Sequence, residues 1–246
     1  MRQHAIPRAL LVGLMLAALP AIAQAPAAPV HAYRAVYSLW NGDRQVGRSE
    51  FSVEHDRARQ RYRFTSSSEF DGLLRWLTPR PVIETSEFIV DGGEIKPLSF
   101  SYEDGSRRGR RNLKVEFDWG AAVAVITRAG ESSRAPLPAG ALDRGSARVA
   151  LMRDLARDRH DGRYRLADPD VIREYTYVTE GRELLTTPLG ELAAVKVVQQ
   201  RESSSRRTVF WAAPELHYLP IRIEQLREDR APVAFALESV EWLDTP

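Results

Sequence analysis

The chain has 246 residues, no cysteine, and 35 Lys and Arg against 33 Asp and Glu, a formal net charge of +2. Without cysteine there are no disulfides and no thiol chemistry, so stability must come from a buried core, which a chain of this length can build. Nearly balanced charge also argues against a nucleic-acid-binding domain, which needs a concentrated basic surface. We therefore expect no nucleic-acid partner.

The first 23 residues have the pattern of a cleavable signal peptide. Arg2 and Arg8 give a basic start, residues 9–19 are apolar but too few to span a bilayer, and Ala21-Ile22-Ala23 is a small-x-small cleavage site. Cleavage would remove two arginines and no acid, which leaves 33 bases and 33 acids. We expect export to a bacterial periplasm, a flexible spacer at 24–32, one β-rich domain at 33–243, and a soluble mature form without a transmembrane segment or lipid-anchoring cysteine.

Residues 33–127 alternate between apolar and polar side chains with the period of two that indicates β-strands. Tyr33, Ala35, Tyr37 and Leu39 begin the pattern, and the Asn41-Gly42 pair that follows is a strong hairpin-turn signal. A short helical insertion is expected at residues 71–77. Further strands are predicted at residues 46–53, 62–70, 82–90, 95–102, 111–119 and 121–127.

One longer helix is predicted at about residues 143–157, capped by Asp143 or Ser146 and carrying an apolar stripe. Strand-like segments resume at 164–166, 171–179, 182–186, 192–201, 207–212, 218–226 and 233–243. Strands at this spacing favour one antiparallel sheet over βαβ units, and a long sheet tends to curl. The predicted fold is mainly β: a single curled antiparallel sheet or half-barrel of about 11–13 strands, with one main helix and the short insertion.

No catalytic or metal-binding motif stands out. The histidines outside the leader, which are His31, His55, His160 and His217, lack metal-ligand spacing. The segment nearest to a nucleophile elbow, residues 47–51, lacks its second glycine, and no phosphate-binding glycine loop occurs. We predict no catalytic residues, no cofactor and no metal, and we favour a non-enzymatic function.

Arginine supplies nearly all of the positive charge, since lysine occurs only at Lys96, Lys114 and Lys196. Guanidinium groups suit phosphate and carboxylate ligands, but codon bias in a GC-rich genome explains the same composition, and we favour that interpretation at this point. The basic cluster at residues 107–111 is expected at a hairpin tip. It suits contact with anionic lipid headgroups, although a solvated turn that protects a sheet edge explains it better.

Two later segments carry recognisable motifs. Thr187-Pro188-Leu189-Gly190 forms a tight turn, and residues 211–222 follow the pattern Trp-x-x-Pro-x-Leu-x-Tyr-Leu-Pro-x-Arg. Together with the opening hairpin, the Leu73-Leu74 insertion and the Leu142-Asp143 helix start, these segments resemble the domain-of-unknown-function family 3108 over residues 33–242. The resemblance implies an exported bacterial envelope protein and brings no activity or catalytic residues. A more distant likeness, at the level of the fold, is to periplasmic lipoprotein carriers, in which a half-barrel encloses an apolar cavity with a helix.

We interpret the chain as a non-catalytic periplasmic protein whose curled sheet holds a lipid or another apolar or amphipathic envelope ligand, or else an envelope protein. The segment at residues 70–77 is the preferred lid because it is apolar nearly all round. Six residues are candidates to line the ligand site: Phe70, Leu73, Leu74, Trp76, Trp211 and Tyr218.

Two alternatives stay open. One is a hydrolase of an envelope polymer that works through two carboxylates, for which Glu84, Glu87, Glu116 and Asp118 are candidates by number alone. The other is an interaction module that adds strands to a partner through an exposed sheet edge.

Overall fold

A computed structural model of the chain describes residues 28–202 and 204–243. The predicted signal peptide at 1–23 and the first part of the predicted spacer lie outside the described residues. Within the described ranges, no helix has the length and apolar character needed to cross a membrane.

The predicted fold class is confirmed: the chain is mostly β, with two short α-helices and one sheet of 15 strands that does not close. The strands are β1 (Tyr33–Asn41), β2 (Arg44–Asp56), β3 (Arg61–Phe70), β4 (Val82–Asp91), β5 (Glu94–Glu103), β6 (Leu113–Asp118), β7 (Val123–Arg128), β8 (Glu131–Pro136), β9 (Ala141–Leu142), β10 (Gly162–Ala167), β11 (Ile172–Thr187), β12 (Gly190–Gln200), β13 (Arg207–Ala213), β14 (Leu219–Arg227) and β15 (Arg230–Trp242). The helices are α1 (Leu74–Leu77) and α2 (Arg144–Leu155), and a single 3-10 turn spans Pro214–Leu216.

The strand order explains how one sheet can surround a core. It runs from β8 back to β1, continues through β15, and then runs back from β14 to β9. Neighbouring strands are therefore nearly always consecutive in the chain and antiparallel. There are two exceptions: β1 pairs with β15, from the other end of the chain, and β9 pairs with β10 in parallel.

The strand count is higher than predicted, for two reasons. Residues 131–136 form β8 although their polar sequence shows no alternation, and β9 has only two residues. One difference lowers the strand count: two predicted strands merge into the 16-residue strand β11. This strand stays paired with β12 through a bulge between Thr179 and Gly181. A bulge absorbs an extra residue without ending the strand.

Helix α2 lies inside the curled sheet and contacts β3, β4, β5 and β10. Asp143 is its N-cap, as predicted: the side chain accepts hydrogen bonds from the backbone N–H groups of Gly145 and Ser146, and the Ser146 hydroxyl reaches back to the Asp143 backbone. The helix packs so closely that a Cβ on Gly145 would lie 2.7 Å from both Phe64 and Ser86. Only glycine allows this approach.

Two apolar clusters fill the interior. The larger surrounds α2 and includes Tyr37, Phe51, Phe64, Phe88 and Leu155. The smaller lies between β5–β8 on one side and β9–β10 on the other, and its members include Phe100, Val115, Ile126, Ala141 and Ala167. It holds the two ends of the sheet together through side chains.

Candidate functional site

A cavity of about 460 Å³ lies beside the first turn of α2 and is bounded by α1. This volume falls within the range of ligand-binding pockets, roughly 300–1,000 Å³. Its walls come from both halves of the sheet. The lining residues are Leu39, Trp40, Asn41, Val46, Ser66, Ser68, Phe70, Leu74, Val82, Glu84, Tyr102, Arg111, Leu113, Arg128, Arg144, Arg148, Pro169, Arg206, Gln225, Arg227, Val233 and Phe235.

The charged side chains of this lining are mostly positive. A single carboxylate, Glu84, faces six guanidinium groups, which belong to Arg111, Arg128, Arg144, Arg148, Arg206 and Arg227. Arg144 and Arg148 lie on α2, Arg128 and Arg227 end β7 and β14, and Arg111 and Arg206 lie in the loops just before β6 and β13. The fold therefore brings them together from distant parts of the chain. The cavity therefore carries an excess of positive charge.

Arg144 and Arg148 are one helical turn apart, so both project from the same face of α2. Their guanidinium groups converge on Glu84 of β4, with nitrogen-to-oxygen distances of 3.1 Å for Arg144 and 3.3 Å for Arg148. Burial by itself would raise the pKa of Glu84, but the two arginines lower that pKa below its ordinary value. Glu84 is therefore ionised near neutral pH and fixes the direction of both arginines.

Aromatic rings also contact the same two guanidinium groups. Arg144 lies 5.0 Å from the ring centroid of Tyr102, and Arg148 lies 5.1 Å from that of Phe51. Such contacts orient a guanidinium group while leaving its in-plane N–H donors free for other acceptors. A cation is also disfavoured at a helix N-terminus by the helix dipole. An anion bound here would therefore relieve an unfavourable concentration of positive charge.

Three further arginines at the cavity have no carboxylate partner within the described ranges: Arg128, Arg206 and Arg227. Burial, together with the neighbouring Arg206 and Arg230, lowers the pKa of Arg227. Burial is the larger cause, and the two neighbouring guanidinium groups act in the same direction. Arg111 differs, because it lies 3.5 Å from the carboxylate of Asp104.

The remaining lining is apolar. Leu39, Val46, Phe70, Leu74 and Phe235 are among the side chains that face the same space as the arginines. A cavity with apolar walls and several guanidinium groups matches a molecule that has both a hydrocarbon part and an anionic group.

The structure places the six predicted ligand-lining residues in four different settings. Phe70 and Leu74 line the cavity. Leu73 and Trp76 are 84% and 80% exposed beside it. Tyr218 lines a separate pocket of about 110 Å³ at residues 28–33 and the C-terminal part of α2.

Trp211 is buried away from the cavity. Its indole N–H donates to Glu183 at 2.7 Å, and its ring lies between Lys196 and Arg222, each 5.7 Å from the ring centroid. Side chains alternate along a strand, and the neighbouring Phe210 faces α2, so Trp211 belongs to the outer face of the sheet.

The buried acids near the cavity are already bonded to other groups. Glu84 is held by two arginines, and the buried Asp143 accepts bonds from its helix N-terminus and from Ser86 at 2.7 Å. Of the other acids suggested for a hydrolase, Glu87 and Glu116 form ion pairs with Arg63 and Lys114 on the surface. Asp118 accepts a hydrogen bond from the backbone N–H of Ala121 at 2.9 Å. Within residues 28–202 and 204–243, no three His, Asp or Glu side chains are grouped to hold a metal ion.

The sheet edges bear on the strand-addition alternative. One edge is β8, which has six residues, is mostly exposed and polar, and ends at Pro136. The other edge is β9, whose two residues are buried. Short, polar, proline-terminated edges are typical of strands protected against pairing.

Sequence reasoning named Glu84 only as one of four candidate hydrolase carboxylates and Arg111 only as part of the basic cluster, and it did not single out the other five arginines as site residues. Each arginine is unremarkable alone, and the strand pairing that assembles them is long-range. One signal was available: Arg144 follows the Asp143 cap in the first turn of the predicted helix, where the helix dipole disfavours a cation, and Arg148 lies one turn further on the same face.

Comparison with known proteins gives a family and a fold. The family model described as a protein of unknown function, DUF3108, matches residues 32–228. A crystal structure of a β-barrel-like protein of the DUF1849 domain family from Brucella abortus is similar at 12% identity, with a TM-score of 0.53 over 88% of this chain and 99% of that chain. A candidate lipoprotein from Parabacteroides distasonis aligns at 9% identity and a TM-score of 0.33 over 86% and 95% of the two chains. No functionally curated protein matches.

Proposed function

The chain belongs to the DUF3108 family of proteins of unknown function, and we propose that it is a non-catalytic binding protein of the bacterial envelope whose cavity holds an amphipathic ligand with an anionic group. The observation that carries this proposal is the cavity lining, in which six guanidinium groups and one carboxylate share a space with apolar side chains. The sequence pattern of residues 1–23 supports export to the periplasm.

The ligand would lie with its anionic group toward Arg144, Arg148 and Arg227 and its hydrocarbon part along Phe70 and Leu74. Phosphate and carboxylate both accept paired bonds from guanidinium, so the lining defines a chemical class and leaves the headgroup to experiment. Glu84, the one carboxylate of the lining, is held by Arg144 and Arg148, which supports a role in recognition over acid–base chemistry.

A direct test is native mass spectrometry of the protein purified from the periplasm, together with titration of purified protein. Three single-chain probes of equal length separate the possibilities: lysophosphatidylglycerol, a fatty acid, and lysophosphatidylcholine, each below its micelle concentration. We expect both anionic probes to bind more tightly than the zwitterionic one. Substitution Arg227→Gln should weaken binding of the anionic probes by at least about tenfold, the loss of one charge-assisted hydrogen bond.

Arg222→Gln is the matched control, because Arg222 lies beside Trp211 on the outer face and is paired with Glu224. It should leave the affinity unchanged. Protein that is repeatedly free of ligand and that binds all three probes equally would overturn the proposal.

A further inference from the structure

The most exposed apolar side chains of the described chain are grouped next to the cavity. Leu73, Trp76 and Leu77 are 84%, 80% and 72% exposed, and all three belong to α1 or the residue before it. Leu74, between them, turns the other way and lines the cavity. The insertion therefore has one side facing the cavity and one facing solvent, and the solvent side is apolar.

A basic loop lies against this insertion. The backbone N–H of Arg80 donates to the carbonyl of Gly105 at 3.2 Å, which joins the segment after α1 to the β5–β6 loop. Gly105 has a φ of +66°, and a Cβ there would lie 2.4 Å from the Arg80 carbonyl oxygen. The contact thus depends on glycine for both its conformation and its close approach.

The loop is held in shape from within. The buried Asp104 carboxylate accepts hydrogen bonds from the backbone N–H and the hydroxyl of Ser106 and from the backbone N–H of Arg111. Its outward side carries Arg107, Arg108 and Arg110, all exposed. Exposed apolar side chains and a basic loop therefore lie side by side, and each segment contributes one residue to the lining of the anion-attracting cavity, Leu74 and Arg111.

From this juxtaposition we infer that residues 71–80 together with 104–111, here called the docking surface, bind an anionic lipid bilayer. The docking surface contains six arginines and two acids, and one of those acids, Asp104, is buried. Tryptophan and leucine side chains partition into the bilayer interface, and nearby arginines interact with anionic headgroups. Docking in this orientation would place the cavity opening at the lipid headgroups.

This inference goes beyond the proposed function and can fail separately from it. The test is co-sedimentation of the full chain with vesicles of phosphatidylcholine alone and with vesicles that contain one quarter phosphatidylglycerol. We expect binding to the anionic vesicles that weakens as salt is raised. Arg107→Gln, Arg108→Gln and Arg110→Gln together should weaken it about a hundredfold, at about fivefold for each arginine.

The apolar contribution is tested with the Trp76→Ser and Leu77→Ser double variant, which should weaken vesicle binding at least tenfold. Because both side chains are exposed, the melting temperature should not change. The matched control is Leu184→Ser, which removes a side chain that is 66% exposed on β11 and is not part of the docking surface. The control should bind vesicles as the unmodified chain does.

The position of docking is tested by quenching with brominated lipids. Quenching of tryptophan fluorescence should be present in the unmodified chain and strongly reduced in Trp76→Phe, although the latter still binds vesicles. Equal binding to both vesicle types, or vesicle binding with unchanged quenching in Trp76→Phe, would overturn the inference. Self-association of the chain without vesicles, if the Trp76→Ser and Leu77→Ser variant abolishes it, would also overturn the inference, because a second copy of the chain would then cover the docking surface.

The two proposals respond to different variants. Arg227→Gln should weaken binding of monomeric lysophosphatidylglycerol and leave vesicle binding intact. The Trp76→Ser and Leu77→Ser variant should weaken vesicle binding and leave binding of monomeric lysophosphatidylglycerol intact.

Discussion

Arg148 on α2 and Glu84 on β4 form an ion pair 64 positions apart in the chain, with 3.3 Å between the guanidinium nitrogen and the carboxylate oxygen. Both side chains are mostly buried, at 15% and 12% exposure. The pair joins the helix to the sheet and also sets the charge at the floor of the cavity. It therefore links the stability of the fold to binding in the site.

We expect Glu84→Gln to lower stability and to tighten anion binding. Removing one partner leaves Arg148 and Arg144 without a counter-charge, which should cost about 1–3 kcal/mol of unfolding free energy. The same change removes the carboxylate that competes with an anionic ligand, so the affinity for lysophosphatidylglycerol should rise about tenfold. Urea unfolding and titration measure the two effects, and a loss of both stability and affinity would contradict the assigned role.

The pH dependence of stability should reveal Asp143. Burial raises its pKa to about 6 from the ordinary 3.8, against the opposing effect of its hydrogen bonds from Ser146, Ser86 and Gly145. The folded state thus binds this proton more tightly than the unfolded state. Its stabilising contribution is complete below about pH 4 and is lost as the pH rises through 6, by about 3 kcal/mol in total.

The comparison for this prediction is Asp143→Asn, which does not titrate but keeps an oxygen acceptor for the Gly145 and Ser146 N–H groups. The difference in unfolding free energy between the unmodified chain and the variant should shift in favour of the variant between pH 4 and 7. Parallel curves over that range would show that Asp143 keeps an ordinary pKa.

Gly145→Ala should destabilise the fold although alanine is the better helix former. The added Cβ would lie 2.7 Å from Phe64 and Ser86, and moving α2 to relieve this overlap should cost about 1–3 kcal/mol. Gly120→Ala is the control, because the nearest atom to a Cβ there is a carboxylate oxygen at 3.5 Å. Thermal melts that shift equally for both variants would mean that the helix tolerates displacement.

We expect substitution of Trp211 to lower stability without changing probe affinity, and substitution of Phe70 to lower probe affinity. Trp211→Phe removes the bond to Glu183 and weakens the contacts with Lys196 and Arg222, so we expect a loss of about 1–2 kcal/mol in stability and no change in probe affinity. Phe70→Ala should lower probe affinity, because Phe70 lines the cavity. Reduced probe binding in Trp211→Phe at a temperature where the variant remains folded would place Trp211 in the site after all.

Local patterns were enough to predict most of the fold. Alternation along β1 to β7 reflects a sheet buried on one face, and Asp143 satisfies the free N–H groups of α2 as an N-cap should. Strands β8 and β9 were not predicted because their own sequences carry no strand pattern. They form strands because the neighbouring strands offer backbone hydrogen-bond partners. The site was harder to predict from the sequence. The charge of the cavity depends on the strand register that places the ends of β7 and β14 near the start of α2. Leu74 and Phe70 could be predicted because their apolar segment adjoins a strand end.

The smaller apolar cluster has a mechanical consequence. The hydrogen-bonded order ends at β8 and β9, and β9 meets β5 through side chains such as Phe100 and Ala141. A barrel that is closed by backbone hydrogen bonds has a fixed circumference, because widening the barrel breaks those hydrogen bonds. In the described chain the two margins meet through apolar side chains and are not paired as strands, so strand pairing does not fix the circumference of the sheet. We therefore expect the molecule to admit ligands of different bulk without unpairing a strand.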